Sequence, residues 1–218
     1  YEKSPSEMMA VVRRALYGEL LDGSPEYPFE IVEKHLLTAL GALMMTSARG
    51  SAAEVFTLNF DDVLEWYLDL HGFRSEIVFQ LPRLLRSDVD VHVYHIHGFL
   101  PMVEERYSTS SWMVFSETEL VDRLSKNAEY PWETLLLSRI QSKMLLVVGT
   151  SMSDTDVMVS LKRAESSVSD RPFGFVLGVH DDEKVAELRE KRLVPVAFEK
   201  KEDIPPFILE VCRLASLM

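Results

Sequence analysis

Cysteine is nearly absent from this chain: Cys212 stands alone among 218 residues. A single thiol forbids an internal disulfide and any zinc knuckle built on cysteines. Lying in an apolar C-terminal helical pattern, Cys212 reads as a small core residue, and a reducing, cytoplasmic setting is the expectation. Long hydrophobic runs are missing too. Mean hydropathy is near zero, and no apolar stretch approaches the roughly 20 residues that span a bilayer. No segment after Tyr1 joins a basic start, an apolar centre and a small-residue cleavage site, so a secretory leader is not expected. Bases are scarce beside acids, 23 Lys and Arg against 35 Asp and Glu, for a net charge of −12. Such a surface repels phosphate backbones, and the densest basic spot, Arg83 to Arg86, is too small for a nucleic-acid groove.

What is present is a chain with 47% hydrophobic residues, ample for one sizeable core. Its first quarter reads helical: Met9 to Leu21, then, past the turn-rich LLDGSPEYP, a run in which Val32, Leu36, Ala39 or Leu40, and Leu43 share one face. From Glu54 the grammar changes to short apolar strands alternating with amphipathic helices. The strands are Val55–Leu58, Val91–Ile96, Met144–Val148, Phe173–Val179 and Val194–Phe198, with weaker candidates at Ile77–Phe79 and Trp112–Phe115. The helices are Asp61–Leu70, Glu117–Ser125, Trp132–Ser142, Asp154–Val168, Asp182–Lys191 and Ile204–Leu217. This pattern predicts an α/β fold, a doubly wound, mostly parallel Rossmann-like sheet covered on both faces. Residues 1–50 form a helical insertion or lid and residues 51–218 the Rossmann-type domain. Ligands of such sheets sit beyond the carboxyl ends of the strands, so the turns after each strand are where chemistry is sought.

Three turns are polar. After the first strand, Asn59 either caps the next helix, with Asp61 and Asp62 against its dipole, or presents an amide and a carboxylate to a polar ligand. After the second, His97 closes the strand and Gly98 permits a sharp turn close to whatever binds. His95 shares a face with His97 while His92 faces the other way; a buried histidine satisfied by one hydrogen bond suits His92 and His95. After the third, Gly149, Thr150 and Ser151 precede a helix capped by Ser153 with Asp156 three residues on. A glycine with small hydroxyls at a helix N-terminus suits phosphate or ribose, and Asp154 and Asp156 favour sugar hydroxyls over bare phosphate.

TLNFDDVLE (Thr57–Glu65), YHIHG (Tyr94–Gly98) and VVGTSMSDTDV (Val147–Val157), in that order, resemble the motifs of the sirtuin-like family. MVFSETEL (Met113–Leu120) is similar to a stretch carried by its bacterial members. The resemblance implies NAD, or a related ADP-ribose-type nucleotide, as ligand, and cleavage of the nicotinamide–ribose bond. It implies His97 as the catalytic histidine, Asn59 beside the nicotinamide ribose and Asp61 facing the carboxamide. Gly98 lies at the site, Gly149, Thr150 and Ser151 cradle the rest of the dinucleotide, and Asp154 falls in the same pattern. Two departures stand out. The family's opening strand and GAG-x-S loop have no counterpart, the nearest candidate, ARGS (Ala48–Ser51), lying in the wrong order; the expectation is that this strand precedes Tyr1. The four-cysteine zinc module of the deacetylases is absent, so no zinc is expected and NAD hydrolysis, the activity of bacterial antiphage-defence relatives, is preferred over deacylation. A hydrolase of this kind is expected to stay inactive until homo-oligomerisation or a partner triggers it. The alternatives are an inactive nucleotide-binding or assembly module, and a metal-dependent hydrolase built on His92, His95 and His97.

Overall fold

The computed structural model describes residues 5–21, 35–45, 52–81, 84–107, 112–113, 131–166 and 171–217. The chain divides into two compact units, Tyr1–Asp122 with Ile208–Met218, and Arg123–Phe207. In the first unit lie helices α1 (Pro5–Leu21) and α2 (His35–Met44), strand β1 (Glu54–Thr57), helix α3 (Val63–Leu70), and strands β2 (Ser75–Val78), β3 (Val91–His95), β4 (Gly98–Phe99) and β5 (Trp112–Met113). In the second lie α4 (Pro131–Ser142), β6 (Leu145–Val148), α5 (Thr155–Ala164), β7 (Gly174–Gly178), α6 (Asp182–Glu190) and β8 (Leu193–Ala197). Helix α7 (Ile204–Leu217) closes the chain, its residues divided between the two groups.

The first unit holds a three-stranded parallel sheet in the order β1-β3-β2, Val93 pairing with Val55 on one side and Ile77 on the other. β3 is central because VHVYH is the most β-prone run of the three and is buried almost throughout. Beyond it β4 pairs antiparallel with β5. The second unit repeats the parallel plan in the order β6-β7-β8. The result is the mixed α/β, Rossmann-like architecture expected from the alternation of short apolar strands and helices.

Helix α3 shows how local sequence sets a boundary. Gly72 takes φ +77°; its N–H donates to the Asp69 carbonyl and that of Phe73 to the Leu68 carbonyl, both at 2.9 Å. That is a Schellman stop, which needs a residue free to adopt the left-handed conformation. Phe73 then packs on the cluster of Met44, Leu68, Val91 and Val93. A second cluster joins Tyr17 of α1 to Trp66, Tyr67 and Met102, with Leu37, Val63 and Val103 at its edge.

Element ends move by at most four residues from expectation, and three expectations change. Strand β6 is not fully buried: Leu146 and its register partner Phe175 are 45% and 40% exposed, so that face of the second sheet is only partly covered. Cys212 is half-buried on a mostly exposed helix rather than in a core, since α7 buries mainly Ile204 and Ile208. The cap of α5 shifts as well, as described below. The expected helix Glu117–Ser125, the Val32 turn, the linker beyond Leu21, Arg83, ARGS and most of MVFSETEL lie outside the described residues.

Candidate functional site

The carboxyl ends of β1 and β3 adjoin through the segments that leave them. The Ile96 N–H donates to the Thr57 carbonyl (3.3 Å) and the Leu100 N–H to the Phe60 carbonyl (2.7 Å). Between these two ties, His95 Nδ1 donates to the Asn59 carbonyl at 3.1 Å. The loop carrying Asn59 and Asp61 is thus fastened on both sides of the turn carrying His97 and Gly98. Asn59 is exposed, and its N–H donates to Thr57 Oγ1 at 3.1 Å. It lies three residues before Asp62, the N-cap position of α3, so a capping role does not account for it. His97 is half-buried, and Gly98 has φ +123°, a conformation that side-chain-bearing residues rarely adopt.

Asp61 Oδ1 accepts from the Val63 N–H at 3.2 Å. Burial raises its pKa, with the Glu65 charge adding to the rise and the Val63 N–H opposing it.

Asp62 stands at the N-terminus of α3, as the dipole reading expects, but its carboxyl does more than face the helix. It is fully buried and makes no side-chain cap bond. Its oxygens instead accept from the Tyr17 hydroxyl (2.9 Å), the Trp66 indole N–H (3.0 Å), the Met102 N–H (2.9 Å) and the Tyr107 hydroxyl (2.9 Å). Tyr17 Oη also accepts from the Asp62 N–H and lies 2.7 Å from the Leu100 carbonyl. Burial, then the Asp62 charge, push both tyrosine hydroxyls far above their usual pKa. One carboxyl therefore ties α1, α3 and the 100–107 segment together behind the candidate site. Arg13 of α1 donates to the Pro101 carbonyl at 2.9 Å and pairs with Glu104.

Behind Asn59, His95 is wholly buried and pairs with buried Glu65, Nε2 to Oε1 at 2.6 Å. Burial alone would depress the imidazole pKa, but Glu65's charge and hydrogen bond outweigh it, aided by the Asn59 carbonyl and Asp61, and the net shift is upward. His95 thus makes two hydrogen bonds rather than the one expected. His92 lies on the opposite face, stacked near Tyr94. Its Nε2 is 3.0 Å from the Arg86 carbonyl and 3.3 Å from Glu76. The three histidines do not converge, and among the described residues no three of His, Cys, Asp and Glu are placed to hold a metal ion.

The second unit carries the other polar turn. Gly149 has φ +75° with open space where a Cβ would stand, so backbone conformation, not crowding, asks for glycine there. Thr150 Oγ1 accepts from the Met152 N–H at 3.2 Å, and the Ser151 and Ser153 hydroxyls share a hydrogen bond at 2.6 Å. Met152 is buried with φ +56°, a conformation uncommon for a side-chain-bearing residue. The α5 cap is Asp154, whose Oδ1 accepts from the Val157 N–H at 3.3 Å, rather than Ser153; the helix starts one residue later than Ser153 would require. The Asp156 side chain lies outside the described residues. Asn59, Asp61, His97 and Gly98 thus share the first unit, and Gly149, Thr150, Ser151 and Asp154 share the second.

Sequence reasoning missed Tyr17, Glu65 and Tyr107 and did not foresee the buried partners of Asp62. The signal for Glu65 was available: an acid inside the otherwise apolar VLEWYL run has to find a buried partner.

Parallel strands whose carboxyl ends lead into polar, glycine-bearing turns define an α/β protein of the Rossmann-like class. The chain belongs to the SIR2-like domain family, whose model matches residues 53–202. No curated protein matches the chain. Among the described residues, no helix is long and apolar enough to cross a membrane.

Proposed function

We propose that this protein binds NAD and hydrolyses its nicotinamide–ribose bond, releasing nicotinamide and ADP-ribose. The carrying observation is the pair of backbone ties, Ile96 to Thr57 and Leu100 to Phe60, that fasten the Asn59 loop against the His97–Gly98 turn. Membership of the SIR2-like family supports NAD-type chemistry. In this reading the C1′–N bond of the nicotinamide ribose breaks and the nitrogen keeps the electron pair. Nicotinamide leaves neutral, so no general acid is required, and the oxocarbenium-like centre is captured by water. Asn59 orients the ribose or the water. His97 takes the proton as the new C1′–O bond forms, and solvent later removes it. Asp61 hydrogen-bonds the carboxamide, while Gly149, Thr150 and Ser151, with Asp154 beside them, hold the remaining dinucleotide. An uncontrolled hydrolase of this kind would drain its cell of NAD. The reading therefore extends to an effector of bacterial antiphage defence, kept inactive until oligomerisation or a partner triggers it.

Mass-spectrometric detection of nicotinamide release from NAD tests the proposal. Wild-type turnover that falls about 10²–10⁴-fold in His97→Ala, with a comparable loss in Asn59→Ala, is expected. NAD binding without nicotinamide release would instead favour an inactive nucleotide-binding module.

A further inference from the structure

We infer that His95 is the positioning residue for Asn59: as an imidazolium clamped between Glu65 and the Asn59 carbonyl, it fixes the backbone from which the Asn59 amide projects. This rests on the proposed role of Asn59 in NAD hydrolysis. A neutral imidazole offers one N–H and one lone pair. His95 faces the Asn59 carbonyl, which only accepts, 3.1 Å from Nδ1, and the Glu65 carboxylate, whose Oε1 lies 2.6 Å from Nε2. With Glu65 ionised, both nitrogens carry hydrogen. The groups facing the ring are Glu65 from α3, Asp61 and the Asn59 carbonyl from the loop after β1, and the apolar edge of Phe99 from β4, 4.8 Å away. A buried ion pair costs desolvation and adds little net stability, so its best use is to specify one arrangement. Here it specifies the Asn59 peptide. The Asn59 N–H is held by Thr57 Oγ1 and its carbonyl by His95, while the side chain stays exposed. An amide that aligns ribose or water loses about 10²-fold in rate when displaced by about 1 Å.

The test compares wild type, His95→Leu and Glu65→Gln by steady-state NAD turnover across pH and by hydrogen exchange over residues 57–62. His95→Leu should lower kcat about 10–100-fold with KM changed less than about threefold. In Glu65→Gln, the Gln amide can donate to Nε2 of a neutral His95 whose Nδ1–H still serves Asn59. Turnover should then recover well above that of His95→Leu. The alkaline fall of the wild-type profile, where a deprotonated His95 turns a lone pair towards Glu65 or Asn59, should disappear. A purely structural role would not move that limb. Wild-type-like kcat in His95→Leu, or Glu65→Gln no better than His95→Leu, overturns the inference. If wild type releases no nicotinamide, the functional reading falls, and exchange alone decides the positioning claim. At least tenfold faster exchange of the Asn59 amide in His95→Leu, with Ser75–Val78 of the same unit unchanged as the fold control, supports it; unchanged exchange at Asn59 refutes it.

Discussion

Replacing Asp62 by alanine should be among the most damaging single changes in the first unit. Asp62 is fully buried and accepts from Tyr17, Trp66, Met102 and Tyr107. When the carboxyl is removed, the Tyr17 hydroxyl can turn wholly to the Leu100 carbonyl, 2.7 Å away. The Trp66 indole N–H, the Met102 N–H and the Tyr107 hydroxyl keep no such alternative among the hydrogen bonds described above. Each stranded buried donor costs about 1–3 kcal/mol, and a water admitted to the vacated space recovers part of that. The expected loss is therefore about 3–5 kcal/mol. Asp62→Asn should cost less, about 1–3 kcal/mol. Its carbonyl can still serve Met102 and Tyr17, and the Tyr107 hydroxyl can rotate to accept from the new amide, leaving only Trp66 opposed. Because the chain has two compact units, a global melt would blend their transitions. Native-state hydrogen exchange of the Val63–Leu70 amides isolates the relevant opening. A loss under about 1 kcal/mol in Asp62→Ala, or a larger loss in Asp62→Asn, would refute the assignment of Asp62 as the hub.

Other consequences follow from the same geometry. Asp61 has a raised pKa, chiefly from burial, so its contribution is most favourable below the ordinary carboxyl range and is lost as pH rises through the folded value. Asp61→Asn, which retains an acceptor for the Val63 N–H, should unfold at higher urea than wild type at pH 7 and converge with it below about pH 4. Its KM for NAD should rise about tenfold, the trade expected at a functional carboxyl; lower stability at pH 7 would count against it. Tyr17 and Tyr107 keep their protons in the folded state well beyond the ordinary value of 10.0, whereas in the unfolded chain they titrate near it. Protons are then released on unfolding, so stability present below about pH 10 falls above it. A Tyr17→Phe, Tyr107→Phe double variant should show a flatter decline between about pH 9.5 and 11, measured by urea midpoints.

The alternation of strands and helices was legible because burial imposes periods. VHVYH alternates as a strand does, and VLEWYLDL carries its apolar residues at helical spacing, as the structure has them. The turns after β1 and β3, with Asn59, His97 and Gly98, were equally legible, since glycine and polar residues interrupt apolar runs for a backbone reason. The partners of those groups were not. Whether Asp62 serves a helix dipole or a buried hub depends on Tyr17, some 45 residues away, and no local pattern encodes that distance. Cys212 and Leu146 illustrate the converse: apolar spacing promised burial, but exposure depends on what packs against a face.

By itself the sequence determined the class of fold, the strand ends on which polar side chains gather, and a net charge of −12, because hydrophobic period, turn chemistry and net charge are local or additive properties. Only the tertiary structure decided that His95 stands between Glu65 and Asn59, that Asp62 is buried beneath two tyrosines, and that Asp154 caps α5. Each of these depends on which groups desolvation and hydrogen bonding bring face to face, and a one-dimensional pattern leaves that choice open.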